Sequence, residues 1–176
     1  MSNVCILCGT NDHAVLLYKS NVVEKDMNQE VFSARRMPDR LHGNILRCKQ
    51  CGLVYASPLV DTATLSNLYE KSVYTYAGEE GHIEKTYARY LKKATGWLTE
   101  TARPWSYLDI GCGNGFMLRA AKNLGFDSVW GVEPSTHAIE QAPTEFRPNI
   151  LQGMFSKELL GDRKFSLISC FQTLDH

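Results

Sequence analysis

Alternating strand-like and helix-like segments fill the second half of the chain. Near-continuous apolar runs of strand length occur at 106–110, 128–132, 149–151 and 165–171. Helix-forming segments at 115–124 and 136–142 lie between the first three runs, and Gly125 stands where a C-terminal glycine is expected. Strands that alternate with helices pair in parallel, and they are apolar because helices cover both faces. The pattern therefore predicts a doubly wound, parallel α/β sheet of four strands.

The first 104 residues contain short strand-like runs followed by helix-like segments. Short β-type runs at 14–18, 31–34, 45–47 and 53–55 predict a small antiparallel ribbon with little core. A change of composition at 56–58 marks a boundary, and Asp61 is placed to cap a helix. Apolar residues recur at helical spacing from Ile83 to Leu98, which predicts a long amphipathic helix that Pro104 terminates. The predicted units are a ribbon domain (1–58), a helical connector (59–104) and an α/β domain (105–176).

Composition and charge narrow the choice of partners. The 176 residues are 44% hydrophobic and 22% charged, as in a folded globular protein. Nineteen basic and nineteen acidic side chains give a formal net charge of zero, so no global field attracts nucleic acid or anionic lipid. This balance weighs against nucleic acid or a membrane as partner. The N-terminus has no basic segment followed by an apolar one, so the cytoplasm is the expected location.

Two short cysteine motifs share one pattern. Cys5 and Cys8 are followed by glycine, as are Cys48 and Cys51, so both motifs have the form C-x-x-C-G. Each motif can place two thiolates on one side of a tight turn that the glycine permits. Four thiolates make a closed tetrahedral set that suits zinc in a structural role. A redox function is disfavoured because neither pair lies in a thioredoxin-like βαβ unit.

A glycine-rich loop ends the first strand of the α/β domain. Asp109 is followed by Gly111, Gly113 and Gly115, which gives D-x-G-x-G-x-G ahead of a helix-forming segment. Glycine permits positive φ and leaves backbone N–H groups open to a ligand. The dinucleotide fingerprint G-x-G-x-x-G is not matched, because Phe116 stands where its third glycine belongs. Ligands of open α/β sheets bind at the carboxyl ends of strands, where this loop is predicted to lie.

A second acidic residue ends the next strand. Glu133 lies about twenty residues beyond the glycine loop, where a carboxylate can accept hydrogen bonds from both ribose hydroxyls. Its charge disfavours a ligand with a 2′-phosphate. The alternative for Glu133 is an acid at a helix N-terminus, beside Ser135 and Thr136. In combination with the glycine loop, we prefer the ligand-binding interpretation.

The segment from Asp109 to Gly115 resembles motif I of the class I S-adenosylmethionine-dependent methyltransferases. The resemblance implies a Rossmann-like sheet and S-adenosylmethionine as cofactor. The cofactor-binding residues expected on these grounds are Asp109, Gly111, Cys112, Gly113, Gly115, Glu133, Pro134, Met154, Phe155 and Gln172. Met154 departs from the family pattern, which usually has an acidic residue that contacts adenine at this place. The segment 171–176 resembles the family's motif IV, with Asp175 in place of a glutamate.

A zinc ribbon with four cysteines, an aromatic connector and a class I core occur together in C- and O-methyltransferases of nucleotide-sugar and natural-product pathways. The resemblance therefore implies methyl transfer to a small-molecule acceptor. The family's sheet continues beyond the fourth strand, whereas this sequence stops at His176. We accordingly expect a truncated, incomplete sheet whose fourth strand is an open edge, a candidate for self-association.

A general base is needed if the methyl acceptor is a hydroxyl or an acidic carbon. The candidates for this catalytic role are His176 and Tyr76. Tyr76 belongs to an aromatic stretch at 74–78 that either packs between helices or covers the ligand. Two other functions stay open, namely a ribbon that binds RNA or protein and an RNA-directed methyltransferase. Steep salt dependence of RNA binding would favour either of them.

Overall fold

A small antiparallel sheet forms the first part of the molecule. The computed structural model describes residues 4–11, 14–23, 41–57, 61–73 and 80–173. The strands are β1 (Ala14–Tyr18), β2 (Ile45–Cys48) and β3 (Val54–Ala56), in the order β1-β2-β3. Ala14 pairs with Cys48, which brings the end of β2 next to the start of β1. The predicted run at 31–34 lies outside the described residues.

Two helices follow, α1 (Thr62–Glu70) and α2 (Glu80–Thr95). Asp61 caps α1 as predicted, because its side chain accepts a hydrogen bond from Thr64 N at 2.9 Å. Helix α2 ends earlier than predicted, since Gly96 N donates to Lys93 O in a tightened last turn. A separate 3₁₀ turn, Glu100–Ala102, leads to Pro104. None of the described helices has the length and apolarity to cross a membrane.

The C-terminal part confirms the predicted α/β sheet. Its elements are β4 (Ser106–Ile110), α3 (Phe116–Asn123), β5 (Ser128–Glu133), α4 (Thr136–Glu140), β6 (Ile150–Gln152), α5 (Lys157–Leu160) and β7 (Leu167–Ser169). The strands are parallel and lie in the order β6-β5-β4-β7. The sequence analysis missed α5, because a single helical turn is too short to show helical periodicity.

The strand order creates a topological switch point beside β4. From β4 the chain adds β5 and then β6 on one side, and it returns to place β7 on the other side. The carboxyl ends of β4 and β7 lie side by side at this point, where such folds bind ligands. Among the described strands β7 pairs with β4 alone. Self-association through the other edge of β7 stays a prediction.

The helices and the sheet share one apolar core. Tyr107 and Leu108 of β4 are fully buried, as is Leu118 of α3. Helix α2 contributes Leu91 to the same core, with 2% of its surface exposed. The second connector helix is therefore held by packing against the α/β layer.

Cys112 fills the space that Gly131 leaves on β5. Its side chain is 1% exposed, and a Cβ placed on Gly131 would lie 2.4 Å from Cys112 Sγ. Protein interiors are packed closely enough that an added methyl group must displace its neighbours. Glycine at this point of β5 thus allows the glycine-rich loop to anchor itself in the core through Cys112.

Substitution of Gly131 by alanine should lower the free energy of unfolding by about 1–3 kcal/mol, because the new methyl group overlaps Cys112. Gly81→Ala is the matched control, since no atom lies within 4 Å of its added Cβ and α2 should gain about 0.5 kcal/mol. Urea denaturation measures both changes. Equal effects of the two substitutions would contradict this account of Gly131.

Candidate metal centre and ligand site

The two cysteine motifs fold into equivalent turns. Gly9 N donates to Cys5 O at 2.8 Å, and Gly52 N donates to Cys48 O at 3.0 Å. Both glycines have positive φ, +69° for Gly9 and +77° for Gly52. Each turn curls the backbone around its two sulfur atoms, as the C-x-x-C-G pattern predicts.

Four sulfur atoms meet between the turns. The Sγ atoms of Cys5, Cys8, Cys48 and Cys51 all lie within 4.8 Å of one another. The Cys5–Cys51 and Cys8–Cys48 separations are 3.5 and 3.7 Å. A tetrahedral zinc site with Zn–S bonds of about 2.3 Å has sulfur atoms about 3.8 Å apart, so the spacing fits a metal of this size. Cys5 and Cys48 are buried, whereas Cys8 and Cys51 lie at the surface.

Thr10 contacts one of these sulfur atoms. Its hydroxyl lies 3.0 Å from Cys8 Sγ. This contact, together with the Thr10 backbone N–H, lowers the pKa of Cys8 to about 6. Metals bind the thiolate, so this shift favours the coordinating form of Cys8. Against the lowering effect of the Leu53 backbone N–H, burial and the neighbouring cysteine sulfurs raise the pKa of Cys51 to about 12, so the cluster holds protons unevenly.

The glycine-rich loop curves over the carboxyl end of β4. Gly111, Gly113 and Gly115 all have positive φ, at +73°, +54° and +76°. Gly111 N and Cys112 N both donate to Val132 O, at 2.9 and 3.1 Å, so the loop turns toward β5. Gly115 is the N-cap of α3. The predicted strand, glycine turn and helix N-terminus are therefore confirmed.

Glu133 joins the ends of β4 and β5. Its Oε2 accepts a hydrogen bond from Gly113 N at 2.8 Å, and its Oε1 accepts one from Ser135 N at 2.9 Å. The residue is 8% exposed, and burial raises its pKa while these two N–H groups oppose that rise. Glu133 thus touches the loop after β4 and begins the turn before α4 at the same time. The contact with Ser135 N matches the alternative weighed for Glu133, an acid at a helix N-terminus, whereas the contact with Gly113 N was not foreseen.

Asp109 lies in a buried polar network beneath the loop. Ser169 Oγ donates to Asp109 Oδ1, and the Tyr107 hydroxyl lies 2.5 Å from Ser169 Oγ. Asp109 is 3% exposed, and burial raises its pKa to about 7, against the hydrogen bonds from Ser169 and Tyr107. The nearby charge of Glu133 raises it further. Tyr107 shares a strand face with Asp109, so two-residue alternation could have identified it as a neighbour.

The two buried acids lack basic partners in the described part of the chain. The side-chain ion pairs there join Arg103 to Glu100 and Asp127, and Arg119 to Glu84. A buried carboxylate without a cation is costly, unless it is protonated or a ligand supplies donors. The carboxyl edge between β4, β5 and β7 therefore suits a ligand with hydroxyl groups and positive charge.

The other predicted ligand residues differ in how closely they approach this edge. Cys112 points into the core, where burial raises the pKa of its thiol well above the ordinary value. Met154 and Phe155 follow β6 and are 37% and 51% exposed. Gly153 N donates to Glu133 O at 3.1 Å, which links their segment to the end of β5. Pro134 follows Glu133 directly.

Residues after β7 reach the glycine loop from the other side. Thr173 lies so close to Gly111 that a Cβ on the glycine would be 2.2 Å from Thr173 Oγ1. Gln172, one of the predicted ligand residues, has a φ of +48°. The two predicted catalytic residues, Tyr76 and His176, lie outside the described residues.

Both connector helices contact this edge of the sheet. Ser135 Oγ donates to Ser72 O at 2.8 Å, which ties the end of α1 to the turn after β5. The rings of Tyr87 in α2 and Phe171 after β7 are stacked, with centroids 4.3 Å apart and an angle of 4° between planes. The sequence analysis missed these contacts, because neither the motif at 171–176 nor the periodicity of α2 shows which residues pack together across the fold.

Asp109→Asn should make stability less dependent on pH. Folding raises the pKa of Asp109 from 3.8 to about 7, so the folded protein loses stability as pH rises between these values. The variant lacks this loss, so its free energy of unfolding relative to the wild type should rise by on the order of 2–4 kcal/mol over that range. Urea denaturation at several pH values measures the difference. A difference that is constant with pH would contradict the burial of an ionisable Asp109.

Comparisons with known proteins agree with this geometry. A family model described as a methyltransferase domain matches residues 80–176, which is more than half of the chain. The match begins at α2 and includes the glycine loop, Glu133 and β7. No curated protein matches the chain. With its parallel α/β sheet and the glycine-rich loop at the switch point, the chain belongs to this family of methyltransferase domains.

Proposed function

We propose that the protein is an S-adenosylmethionine-dependent methyltransferase that acts on a small-molecule acceptor. The observation that carries the proposal is the 2.8 Å hydrogen bond between Glu133 Oε2 and Gly113 N. It brings the carboxylate at the end of β5 against the glycine loop after β4, at the switch point of the sheet. An acid and bare backbone in this arrangement suit a nucleoside that carries a free ribose.

The donor set fits the proposed cofactor. Glu133 can accept hydrogen bonds from the ribose hydroxyls, and Gly113 and Gly115 leave parts of the loop backbone without Cβ atoms. Asp109 lies beneath the loop, and its buried carboxyl suits a ligand that brings positive charge. Pro134, Met154 and Phe155 would line the adenine side, and Gln172 would face the ligand from the end of β7. When bound, S-adenosylmethionine supplies a methyl group on a positively charged sulfur.

The chain itself would align the methyl acceptor with the cofactor and exclude water from the reaction. A methyl group on sulfonium already has a good leaving group, so the protein must mainly bring the acceptor in line with it. The ring of Tyr87 packs against that of Phe171 and lies near that of Phe116, which directly follows the loop; this cluster would help to exclude water from the site. A nucleotide-sugar or natural-product intermediate is the acceptor class that we propose.

We also propose that the four cysteines bind one structural zinc ion. Two thiolates come from each turn, and the set leaves no position open for a reacting water molecule. The three-stranded sheet has a small core, so metal binding would supply much of its folding free energy. The metal would therefore stabilise the ribbon rather than take part in methyl transfer.

Calorimetric titration of the whole chain with S-adenosylhomocysteine should show binding to one site. Glu133→Gln should weaken this binding at least about tenfold, because an amide cannot accept from the ribose and both N–H groups as the carboxylate does. Glu100→Gln is the control, since its carboxylate is exposed and pairs with Arg103. A wild type without measurable binding would reject the cofactor, and equal affinities would reject the role of Glu133.

Elemental analysis after anaerobic purification should find about one zinc ion per chain. Cys8→Ser should lower the zinc content and the thermal stability, because three thiolates and a hydroxyl bind zinc less tightly. Cys170→Ser is the matched control, since Cys170 is outside the cysteine cluster. Wild-type protein that folds fully without metal would contradict the proposed structural role.

A further inference from the structure

Two of the three residues that follow Cys170 are held by contacts with other parts of the chain, and the residue between them has an unusual backbone conformation. Phe171, Gln172 and Thr173 follow the strand after Cys170, and Thr173 lies against Gly111 of the glycine loop. Gln172 has a φ of +48°, the one positive value for a non-glycine residue among the described positions. A side chain disfavours this conformation, so it persists only where neighbouring contacts enforce it.

The contact that holds Phe171 comes from the connector. Its ring lies parallel to that of Tyr87, with centroids 4.3 Å apart. Tyr87 is itself packed against the core between α2 and α3, and its ring lies 6.5 Å from that of Phe116. Phe171 therefore has a rigid partner on its outer side, and a stacked pair of this kind is stable beyond its buried area.

The contact that holds Thr173 comes from the glycine loop. Thr173 Oγ1 occupies the place where any other residue at position 111 would carry its Cβ. The same hydroxyl donates a hydrogen bond to Phe171 O at 3.1 Å, which closes the turn around Gln172. Gly111 has a φ of +73°, so both its conformation and its missing side chain are needed here.

We propose that Tyr87 and Thr173 are positioning residues that hold Gln172 in its left-handed conformation, next to the cofactor bound on the glycine loop. The effect on the cofactor rests on the proposed function, whereas the effect on Gln172 rests on the geometry alone. Through Tyr87, helix α2 would set the shape of the ligand site without contacting the ligand.

The first test needs no ligand. The three-bond coupling between the amide and α protons, together with the Cβ chemical shift, reports the backbone conformation of Gln172 by nuclear magnetic resonance. Tyr87→Ala should remove the left-handed signature, whereas Tyr87→Phe keeps the ring stack and should retain it. Thr173→Val, which loses the hydrogen bond to Phe171 O but keeps the side-chain volume, should also remove it.

The second test is the affinity for S-adenosylhomocysteine. Tyr87→Ala and Thr173→Val should weaken binding about tenfold or more, since a small displacement of a binding group has large effects. Tyr87→Phe should bind as the wild type does. Phe126→Leu is the control for lost aromatic packing, because Phe126 contacts Trp105 and Tyr107 at the other end of the sheet. It should lower the melting temperature without changing either readout.

The outcomes separate the two proposals. A left-handed Gln172 that persists in both Tyr87→Ala and Thr173→Val overturns the positioning roles, whatever the affinity. Unchanged affinity in variants that have lost the left-handed signature overturns the link to the cofactor. A wild type that fails to bind S-adenosylhomocysteine rejects the proposed function, while the coupling measurement still decides the positioning roles. If Tyr87→Ala does not fold, Tyr87→Leu, which removes the ring stack but keeps an apolar side chain, takes its place.

Discussion

The pair of hydrogen bonds that Glu133 accepts is the interaction on which the carboxyl edge of the sheet depends. One carboxylate binds Gly113 N of the loop after β4 and Ser135 N of the turn after β5. Ser135 in turn caps α4 and donates to Ser72 O of the connector. Buried N–H groups must be satisfied, so a single acid organises two loops, a helix N-terminus and the end of α1.

Burial of Asp109 and Glu133 gives this edge its electrostatic character. Both acids lie in the sheet layer, where removal from water raises their pKa values. The network of Ser169 and Tyr107 offsets part of that cost for Asp109. The edge thus holds acidic groups that a positively charged or hydroxyl-rich ligand would stabilise. The same groups are costly to the folded protein without such a ligand, a common feature of binding sites.

The local sequence was sufficient to predict features that depend on residues close together along the chain. The cysteine turns follow from C-x-x-C-G, because each thiolate pair and its glycine are within five residues. The cap at Asp61 and the turn at Gly111 to Gly115 follow from the preferences of single residues. The parallel sheet follows from alternating apolar strands and helices. The ends of helices were less predictable. Helix α2, for example, ends where Gly96 N donates to Lys93 O in a tightened turn instead of continuing the helix.

The sequence by itself determined the fold class, the cysteine cluster and the glycine loop with its acidic strand ends. Only the tertiary structure decided which distant residues meet there. In the folded chain, Cys112 points into the core beside Gly131, and Tyr87 stacks on Phe171. Thr173 lies where a side chain at position 111 would otherwise be. These contacts join segments that are distant along the chain, so no periodicity or motif in the sequence predicts them. They arise because strand order and close packing, rather than local preference, bring the partners together.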